Sequence, residues 1–350
     1  MNRIVVFLLA IMTALLMVAG CGTENASQGK QSDTRVVKDI EGTEVTIPKD
    51  ITKVADLWHA NNQVVLMLGG ADTLVSTTKN VQGLPWFAKV YPRIKEIPAP
   101  VKGTDVQMEE IQKVNPQVVL ASNKSQIEMA RNAGIPAVHV NFTDYDGLRK
   151  TVNITADVLG GKAPDIAKQY IAYLDGKIKF AEDKTKAISD ADRPSVLHIV
   201  GGDDLLKVDG HKTIIDEWIR YAGGKNAITA DGPQITVTIE EIVKANPDII
   251  IIGGTQSRKG IEQLMNDPQW ASLKAVQNGR VYSNPVGTFN WDRYSAESAL
   301  QILWAGQIIQ PQLFSDVNLV KETQDFYKTF LHYDLSDVEA QRIIAGEGPQ

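Results

Sequence analysis

The chain has 350 residues, of which 43% are hydrophobic and 22% charged, the ordinary balance of a globular protein. Its formal net charge is −6, and the sequence contains no basic stripe of the kind that nucleic-acid-binding proteins carry, so no nucleic-acid partner is expected. A single cysteine excludes an intramolecular disulfide and a cysteine-rich metal site.

Residues 1–20 have the pattern of a secretory signal peptide, in which a short basic start precedes the almost wholly apolar stretch 4–18. The end of this stretch resembles the lipobox of bacterial lipoproteins, with Val18 where leucine is usual, and the resemblance implies that Cys21 is lipidated. An uncleaved transmembrane anchor is the alternative, because the apolar stretch is close to spanning length. Residues 21–34 are polar and predict a flexible tether. The folded part is therefore expected outside the cytoplasm, lipid-anchored to a bacterial membrane, in the periplasm or at the cell surface.

From residue 35 onward strands alternate with helices, which is typical of parallel α/β units. Residues 35–143 are expected to form an N-terminal α/β lobe that opens with a hairpin. The expected strands are 35–37, 44–47, 53–57, 73–77, 117–121 and 137–141, and the expected helices are 61–68, 84–91, 109–114 and 125–133.

Two helices, 144–159 and 165–187, follow with little between them except Gly160-Gly161. The second has apolar residues at helical spacing. At about 23 residues it would be roughly 35 Å long, more than one lobe needs. We therefore interpret residues 144–192 as connecting helices between two lobes.

Residues 193–350 are expected to form a C-terminal α/β lobe that ends in helices. Its expected strands are 194–200, 249–252 and 280–283, and its expected helices are 212–222, 239–245, 295–308, 317–331 and 336–344.

Two segments of the chain, Gln107–Leu120 and Thr238–Ile251, are near copies of one another, the second beginning 131 residues after the first. Each predicts a short helix that opens on Glu-Glu, ends at Asn-Pro and leads into an apolar strand buried on both faces. Repetition at this spacing favours two α/β lobes of similar design. A cleft between two such lobes is a usual place for a small ligand.

The repeats and two further segments carry a family resemblance. These segments are Ile214-Ile215-Asp216-Glu217 with Ala222-Gly223-Gly224-Lys225-Asn226, and Trp270 with Leu273-Lys274-Ala275-Val276-Gln277-Asn278-Gly279-Arg280-Val281-Tyr282. Together they resemble the class III substrate-binding proteins of ABC importers, which carry iron–siderophores, haem, cobalamin and related chelates. The resemblance implies an α/β fold of two Rossmann-like lobes joined by a single long helix, and a transport role rather than an enzymatic one. It also implies permease and ATPase subunits as partners, no intrinsic cofactor and a monomeric state.

The same resemblance implies one surface glutamate per lobe that docks on arginines of the permease. By position these are Glu109 and Glu240, the first acid of each repeat. Acids in the first turn of a helix are stabilised by the helix dipole and can accept bidentate arginine contacts. The alternative is that both merely stabilise their own helices.

Ligand contacts in open α/β sheets come from loops beyond the carboxyl ends of the strands. The candidates in such loops are Trp58, His59, Lys79, Trp86, Lys102, His211, Gln256, Phe289, Asn290, Trp291, Arg293 and Tyr294. The stretch 289–294 is the richest, because aromatic faces and an arginine suit a planar or anionic chelate. The alternative is that Trp291 and Tyr294 pack at the start of the following helix, with Asp292 as its cap.

Two histidines in this set are candidate metal ligands. If His59 and His211 both face the cleft, they would complete the octahedral coordination of an iron or nickel chelate.

An iron–siderophore is the expected ligand within this class, on the aromatic, arginine and lysine content of the candidate loops. Haem, a corrinoid and a nickel chelate stay open. An extracytoplasmic metal-dependent enzyme is less favoured, because the sequence has no Gly-x-Ser-x-Gly, His-Glu-x-x-His or Walker-type motif. The binding proteins for free zinc or manganese are also less favoured, because the five histidines are scattered and form no histidine-rich loop.

Overall fold

The computed structural model describes residues 33–102 and 105–350, without the side chain of Lys102. The predicted signal peptide, the predicted lipidation site at Cys21 and nearly all of the predicted tether lie outside the described residues. Across the described ranges, no helix combines the length and the hydrophobicity that a bilayer crossing requires.

The strands form two main sheets and two small hairpins. They are β1 (Thr34–Lys38), β2 (Glu44–Pro48), β3 (Val54–Asp56), β4 (Leu74–Ser76), β5 (Val101–Lys102), β6 (Asp105–Val106), β7 (Val118–Ala121), β8 (Ala137–His139), β9 (Ser195–Gly201), β10 (Asp204–Val208), β11 (Lys225–Asn226), β12 (Ile235–Thr236), β13 (Ile249–Ile252) and β14 (Val281–Ser283).

Helices cover the faces of both sheets. They are α1 (His59–Met67), α2 (Lys79–Gln82), α3 (Pro85–Val90), α4 (Met108–Lys113), α5 (Lys124–Asn132), α6 (Tyr145–Leu159), α7 (Ala163–Thr185), α8 (Ile214–Tyr221), α9 (Ile239–Ala245), α10 (Ser257–Asn266), α11 (Lys274–Gln277), α12 (Ser298–Ile309), α13 (Leu319–Phe330) and α14 (Asp337–Ile344). Short 3₁₀ turns occur at Ala71–Thr73, Pro92–Lys95 and Asp190–Asp192.

The first sheet is parallel throughout and has the strand order β4-β3-β7-β8. The second has the order β12-β10-β9-β13-β14, with β11 also paired to β9. Strands β9, β13 and β14 are parallel, whereas β10 runs antiparallel to β9. The sequence therefore predicted the α/β class and the two sheets, and the structure confirms both. It did not predict strand β10, the short strands β5, β6, β11 and β12, or the helices α2, α10 and α11.

Both repeats adopt the predicted helix–stop–strand geometry. The two asparagines before proline, Asn115 and Asn246, have positive φ angles of 48° and 42°. This left-handed conformation suits asparagine and ends each helix. The side chain of the residue after each Asn-Pro then accepts a hydrogen bond from the start of a neighbouring strand. Gln117 Oε1 accepts from Thr52 N, just before β3, at 2.7 Å, and Asp248 Oδ2 accepts from Ser195 N, the first residue of β9, at 2.9 Å.

The strands of both repeats are buried on both faces, as predicted. In β13, Ile249 and Ile251 belong to a large core shared by the facing sides of the two sheets, while Ile250 and Ile252 join a separate outer core. Strand β7 divides in the same way, with Val118 facing the shared core. Each sheet is thus covered on both sides, as parallel sheets generally are.

The long helix α7 has 23 residues, the predicted length. It is held against the second half of the chain near the start of α12, where Tyr170 Oη donates to Ala296 O at 2.8 Å. Tyr145, at the start of α6, donates in the same way to Ser298 O at 3.1 Å. The boundaries of the two lobes, at residues 143 and 193, stay predictions.

Candidate functional site

A cavity of about 590 Å³ lies among loops that follow strands of both sheets. The loops after β3 and β4 supply one wall, and the loops after β9, β13 and β14 supply the other. Its lining residues are His59, Lys79, Asn80, Gly83, Leu84, Val200, Gly201, Asp203, Gly254, Thr255, Gln256, Phe289 and Asn290. The structure thus brings together five of the predicted ligand residues: His59, Lys79, Gln256, Phe289 and Asn290.

His59 joins the two walls of the cavity. It is the first residue of α1, and its imidazole stacks on the Phe289 ring of the opposite wall, with ring centroids 5.5 Å apart. Burial lowers the pKa of His59 from its ordinary value of 6.5. The ring is therefore neutral at pH 7, and no other side chain in the described part of the chain hydrogen-bonds its nitrogens. A neutral imidazole in this state can bind a metal or share a proton with a ligand.

The charged groups around the cavity are few. The Lys79 ammonium is exposed, and its one described contact is with Gln82 Oε1 at 3.4 Å. Asp203 is exposed on the opposite wall. Asn290 adds a buried side-chain oxygen that has no hydrogen-bond partner among the described residues. Amides, one hydroxyl and the backbone of three glycines complete a largely neutral, polar lining that can donate to an anion.

Two glycines next to the second wall, Gly202 and Gly253, leave no room for a side chain. A Cβ at Gly202 would lie 2.0 Å from Gln256 O, and a Cβ at Gly253 would lie 2.3 Å from Asp292 Oδ2. The glycines that follow β9 and β13 therefore allow the loops around Gly201 and Gln256 to approach one another.

A buried carboxylate, Glu297, holds the Phe289–Asn290 loop in place. Its Oε1 accepts from Trp291 Nε1 at 3.0 Å and Tyr327 Oη at 2.6 Å. Its Oε2 accepts from Phe289 N at 3.0 Å, with Thr288 Oγ1 and Gln63 Nε2 as further donors at 2.8 and 2.6 Å. Burial raises the pKa of Glu297 above its ordinary 4.5, although these donors favour the ionised form.

Gln63 carries this carboxylate network across to the first wall. It lies one turn after His59 on α1, and its amide is fully buried. Besides donating to Glu297, it accepts from Ala296 N at 2.7 Å. The helix that presents His59 and the loop that presents Phe289 are therefore fixed to each other by buried hydrogen bonds.

A second buried network lies beneath the loops that follow β9 and β13. His198 Nδ1 is 2.8 Å from Asp209 Oδ2, and His198 Nε2 is 3.1 Å from Asp292 Oδ2. Arg293 pairs with both acids, at 2.5 Å to Asp209 and 3.3 Å to Asp292. Burial opposes a charge on His198, but its two acidic partners outweigh burial and raise its pKa above 6.5. Burial opposes the ionised form of Asp209 and Asp292 as well, but pairing with His198 and Arg293 outweighs it and lowers the pKa of both acids.

Several predicted ligand residues do not line the cavity. Trp291 is fully buried against Glu297, and Arg293 is buried in the His198 network. Trp86 is also buried, and its Nε1 donates to Glu347 O at 2.7 Å. Trp58 and Tyr294 pack edge to face, with ring centroids 6.2 Å apart, and Tyr294 stays half-buried. The expected stacking-and-arginine surface of the 289–294 stretch is therefore absent from this cavity, because Trp291 and Arg293 are bonded to acidic side chains inside the protein.

Asp292 is likewise not the cap of the next helix. The residue at the N-terminal boundary of α12 is Glu297, and Asp292 is paired with Arg293 instead. Lys102 belongs to β5, and its side chain lies outside the described residues.

His211 lines a different cavity, of about 600 Å³, with residues of α7 and α8 such as Glu182 and Arg220. His59 and His211 therefore line different cavities, and the structure does not bring the predicted histidine pair together. Within the described ranges, no three His, Cys, Asp or Glu side chains are grouped so that they would hold a metal ion.

The twelve candidate ligand residues did not include the other eight lining residues, among them Gly83, Leu84 and Val200. Sequence reasoning also missed Glu297 and Gln63 as the residues that hold the walls. Gly83 and Leu84 carry no chemical signal. The sequence did contain a signal for Glu297. It is an acid at the start of a strongly apolar helix, and a buried acid has to be paired.

Two α/β sheets joined by a long helix, with one polar cavity between their loops, define a solute-binding protein. The chain belongs to the periplasmic binding protein family, whose model matches residues 25–286.

Three relatives show the range of this likeness. The chain is 28% identical over 287 residues to the uncharacterized ABC transporter substrate-binding lipoprotein YvrC of Bacillus subtilis, covering 78% of this chain and 87% of that protein. It is 24% identical to the molybdate-binding protein MolA of Haemophilus influenzae, covering 85% and 90%. It is 23% identical to the Fe(3+)-citrate-binding protein YfmC of Bacillus subtilis, covering 84% and 92%.

Solved structures share the fold. A periplasmic solute binding protein from Veillonella parvula superposes with a TM-score of 0.78 at 27% identity, covering 89% of this chain and 97% of that one. MolA bound to molybdate superposes with the same TM-score at 21% identity, covering 86% and 99%. The expected architecture of a class III binding protein is thereby confirmed.

Replacing Glu297 by glutamine should lower the free energy of unfolding by about 1–3 kcal/mol. Whichever oxygen becomes the amide, an N–H donor that cannot reverse its role faces it: Trp291 Nε1 at one position, Phe289 N at the other. Urea unfolding measures the change, with Glu262→Gln on the surface of α10 as the matched control. Equal stability of the two variants would contradict the assigned role of Glu297.

The stability contribution of His198 should fall as the pH rises. Its pKa is higher in the folded chain than the ordinary 6.5, so its contribution is complete below pH 6.5 and is lost as the pH passes the folded value. Urea midpoints of the parent chain and of His198→Gln, measured from pH 5.5 to 9, should therefore converge as the pH increases. Parallel curves would show that His198 does not titrate in this way.

Proposed function

We propose that this protein is the extracytoplasmic substrate-binding component of an ABC importer, lipid-anchored through Cys21, and that it carries a compact anionic metal chelate. An iron chelate of the siderophore or citrate class is the first candidate. The family membership and the relative YvrC support the transport role. The observation that carries the ligand proposal is the cavity itself, which combines a neutral imidazole at His59 with an exposed ammonium at Lys79.

The size and chemistry of the cavity support a compact, polar guest. A volume of about 590 Å³ suits a small molecule. Its aromatic lining consists of the Phe289 ring and the His59 imidazole, which stack on each other. A flat macrocycle such as haem or a corrinoid would gain most from several exposed aromatic faces, and Trp86 and Trp291 are buried elsewhere. A chelate with outward-facing carboxylate or hydroxamate oxygens matches Lys79 and the surrounding amides better.

The metal would arrive with most of its ligands already bound. His59 offers one nitrogen donor in the cavity, and a neutral imidazole suits iron or nickel left unsaturated by its chelator. The other ligand positions would come from the chelator or from water.

A bare oxyanion is the second candidate. Lys79, Asn80 and Thr255 are potential hydrogen-bond donors at the same cavity, and such donors suit a tetrahedral anion without any metal–protein bond. The relative MolA, by its name a molybdate-binding protein, supports this candidate.

We infer that Glu109 and Glu240 dock the loaded protein on the permease. Both acids are exposed, on α4 and α9 of the two repeats. The second acid of each pair is used locally: Glu110 pairs with Lys113, and Glu241 forms a capping box with Thr238. No such ion pair or cap involves the first acids in the described part of the chain. They are therefore available to permease arginines on both halves at once.

Removing the Lys79 charge should weaken binding of an anionic chelate. For Lys79→Gln the expected loss of affinity is about tenfold, the scale of one hydrogen bond to a charged group. The measurement is quenching of tryptophan fluorescence on titration with Fe(III)-citrate, a ferric siderophore, haemin, nickel–histidine and molybdate. Lys95→Gln, an exposed lysine outside the cavity, is the control.

His59→Ala separates the two ligand candidates in the same experiment. An iron chelate bound through His59 should lose a ligand-to-metal absorption band, whereas molybdate binding should change little. Unchanged iron spectra would remove the metal bond to His59. Absence of binding to every member of the panel would overturn the proposed ligand class.

The double variant Glu109→Ala/Glu240→Ala should abolish uptake while ligand affinity stays unchanged. Transport into proteoliposomes or cells that contain the cognate permease measures the first, and fluorescence titration measures the second. The control is Glu128→Ala/Glu262→Ala, which removes one exposed acid from another helix of each half. Normal uptake by the first double variant would remove the docking assignment.

A further inference from the structure

The C-terminal residues cross from one half of the protein to the other beside the cavity. After α14 the chain turns at Gly346, whose φ is 69°. A Cβ at this position would lie 2.6 Å from Ser283 Oγ and 2.7 Å from Asn284 O, so glycine lets the segment pass close to the end of β14. The turn brings Glu347 between elements of both halves.

On the side of the second sheet, Glu347 is held by two arginines. Its Oε1 is 2.5 Å from Arg258 of α10, and its Oε2 is 3.0 Å from Arg342 of α14. Its backbone N–H also donates to Arg342 O at 2.8 Å. Arg342 Nε in turn donates to Gly348 O at 2.7 Å, which fixes the segment on both sides of Glu347.

On the side of the first sheet, the backbone oxygen of Glu347 accepts from Trp86 of α3. The bond is 2.7 Å long, and the Trp86 ring is buried. A longer ion pair between Lys89 and Glu339, at 3.8 Å, runs between the same two regions of the chain. Glu347 thus contacts α3 through its main chain and α10 through its side chain.

Both contacted helices begin at the rim of the cavity. Leu84 and Gln256 line the cavity, and Trp86 and Arg258 each lie two residues further along the chain. We propose that Glu347 is a positioning residue, which clamps the Leu84 wall and the Gln256 wall at a set separation and slows the escape of a bound ligand. The inference rests on the proposed binding at this cavity.

The clamp differs in kind from the buried link of Gln63 to Glu297. Arg258 is more than half exposed, at 59% of its side chain, so its ion pair with Glu347 is one that can break. An exposed pair of this type limits how far two walls separate without locking them.

The wall separation is measurable without any ligand. In the full chain with Cys21→Ser, spin labels at Lys95→Cys and Met265→Cys report the distance between the first half and α10; both positions are exposed. Glu347→Gln and Arg258→Gln, or a chain ending at Ala345, should broaden this distance distribution towards longer values. Lys259→Gln, the neighbouring exposed lysine, should leave it unchanged. Distributions that coincide in all variants would overturn the clamp.

The ligand readout uses Fe(III)-citrate. Loss of the Glu347–Arg258 pair should raise its dissociation rate about two- to fivefold, and truncation after Ala345 should raise it further. The double variant Glu347→Gln/Arg258→Gln should resemble Glu347→Gln alone, because the ion pair with Arg258 is already lost in that single variant. Thermal unfolding of each variant checks that the fold is kept. Equal rates in all variants would overturn the clamp, whereas no binding by the parent chain would overturn the proposed ligand and leave the spin-label distances to decide the clamp.

Discussion

One buried carboxylate, Glu297, sets the geometry on which the candidate site depends. A carboxylate taken out of water is costly unless its lone pairs are satisfied, and here five donors satisfy them. These donors come from three separate parts of the chain: α1, the loop after β14, and α13. Gln63 is the member that reaches across from the first half, so the same network also fixes the spacing between His59 and Phe289.

This arrangement explains why the cavity contains so few of the aromatic and charged residues of its own loops. Within residues 288–297, the tryptophan Trp291 donates to Glu297. Arg293 pairs with Asp209, and Asp292 pairs with His198. What remains facing the cavity is one phenyl ring and one amide. The loop is rigid because its large side chains are internal, and a rigid loop preorganises the few groups that are left to contact a ligand. The exposed ion pair between Glu347 and Arg258 is the proposed second restraint on the two walls, and this pair can break.

The sequence predicted the architecture well, because the fold depends on patterns that are local. Helix stops at Asn-Pro, apolar strands such as Ile249–Ile252 and the helical spacing of α7 each report directly on backbone conformation. The loops that surround the cavity were also predictable, since the carboxyl ends of parallel strands meet at one edge. The orientation of side chains within those loops was not. Whether Arg293 points to a ligand or to Asp209 depends on an acid 84 residues away, which no local pattern reveals. The position of His211 was not predictable for the same reason. It precedes a helix, as a ligand residue would, but it lines another cavity.

Binding of a metal chelate between the walls that Glu297 and Gln63 hold together is tested most directly by crystals soaked with Fe(III)-citrate and measured at the iron absorption edge. We expect an anomalous peak inside the cavity, within bonding distance of the His59 imidazole and flanked by Lys79 and Asn290. A peak at the surface, or beside His211, would contradict binding at this cavity.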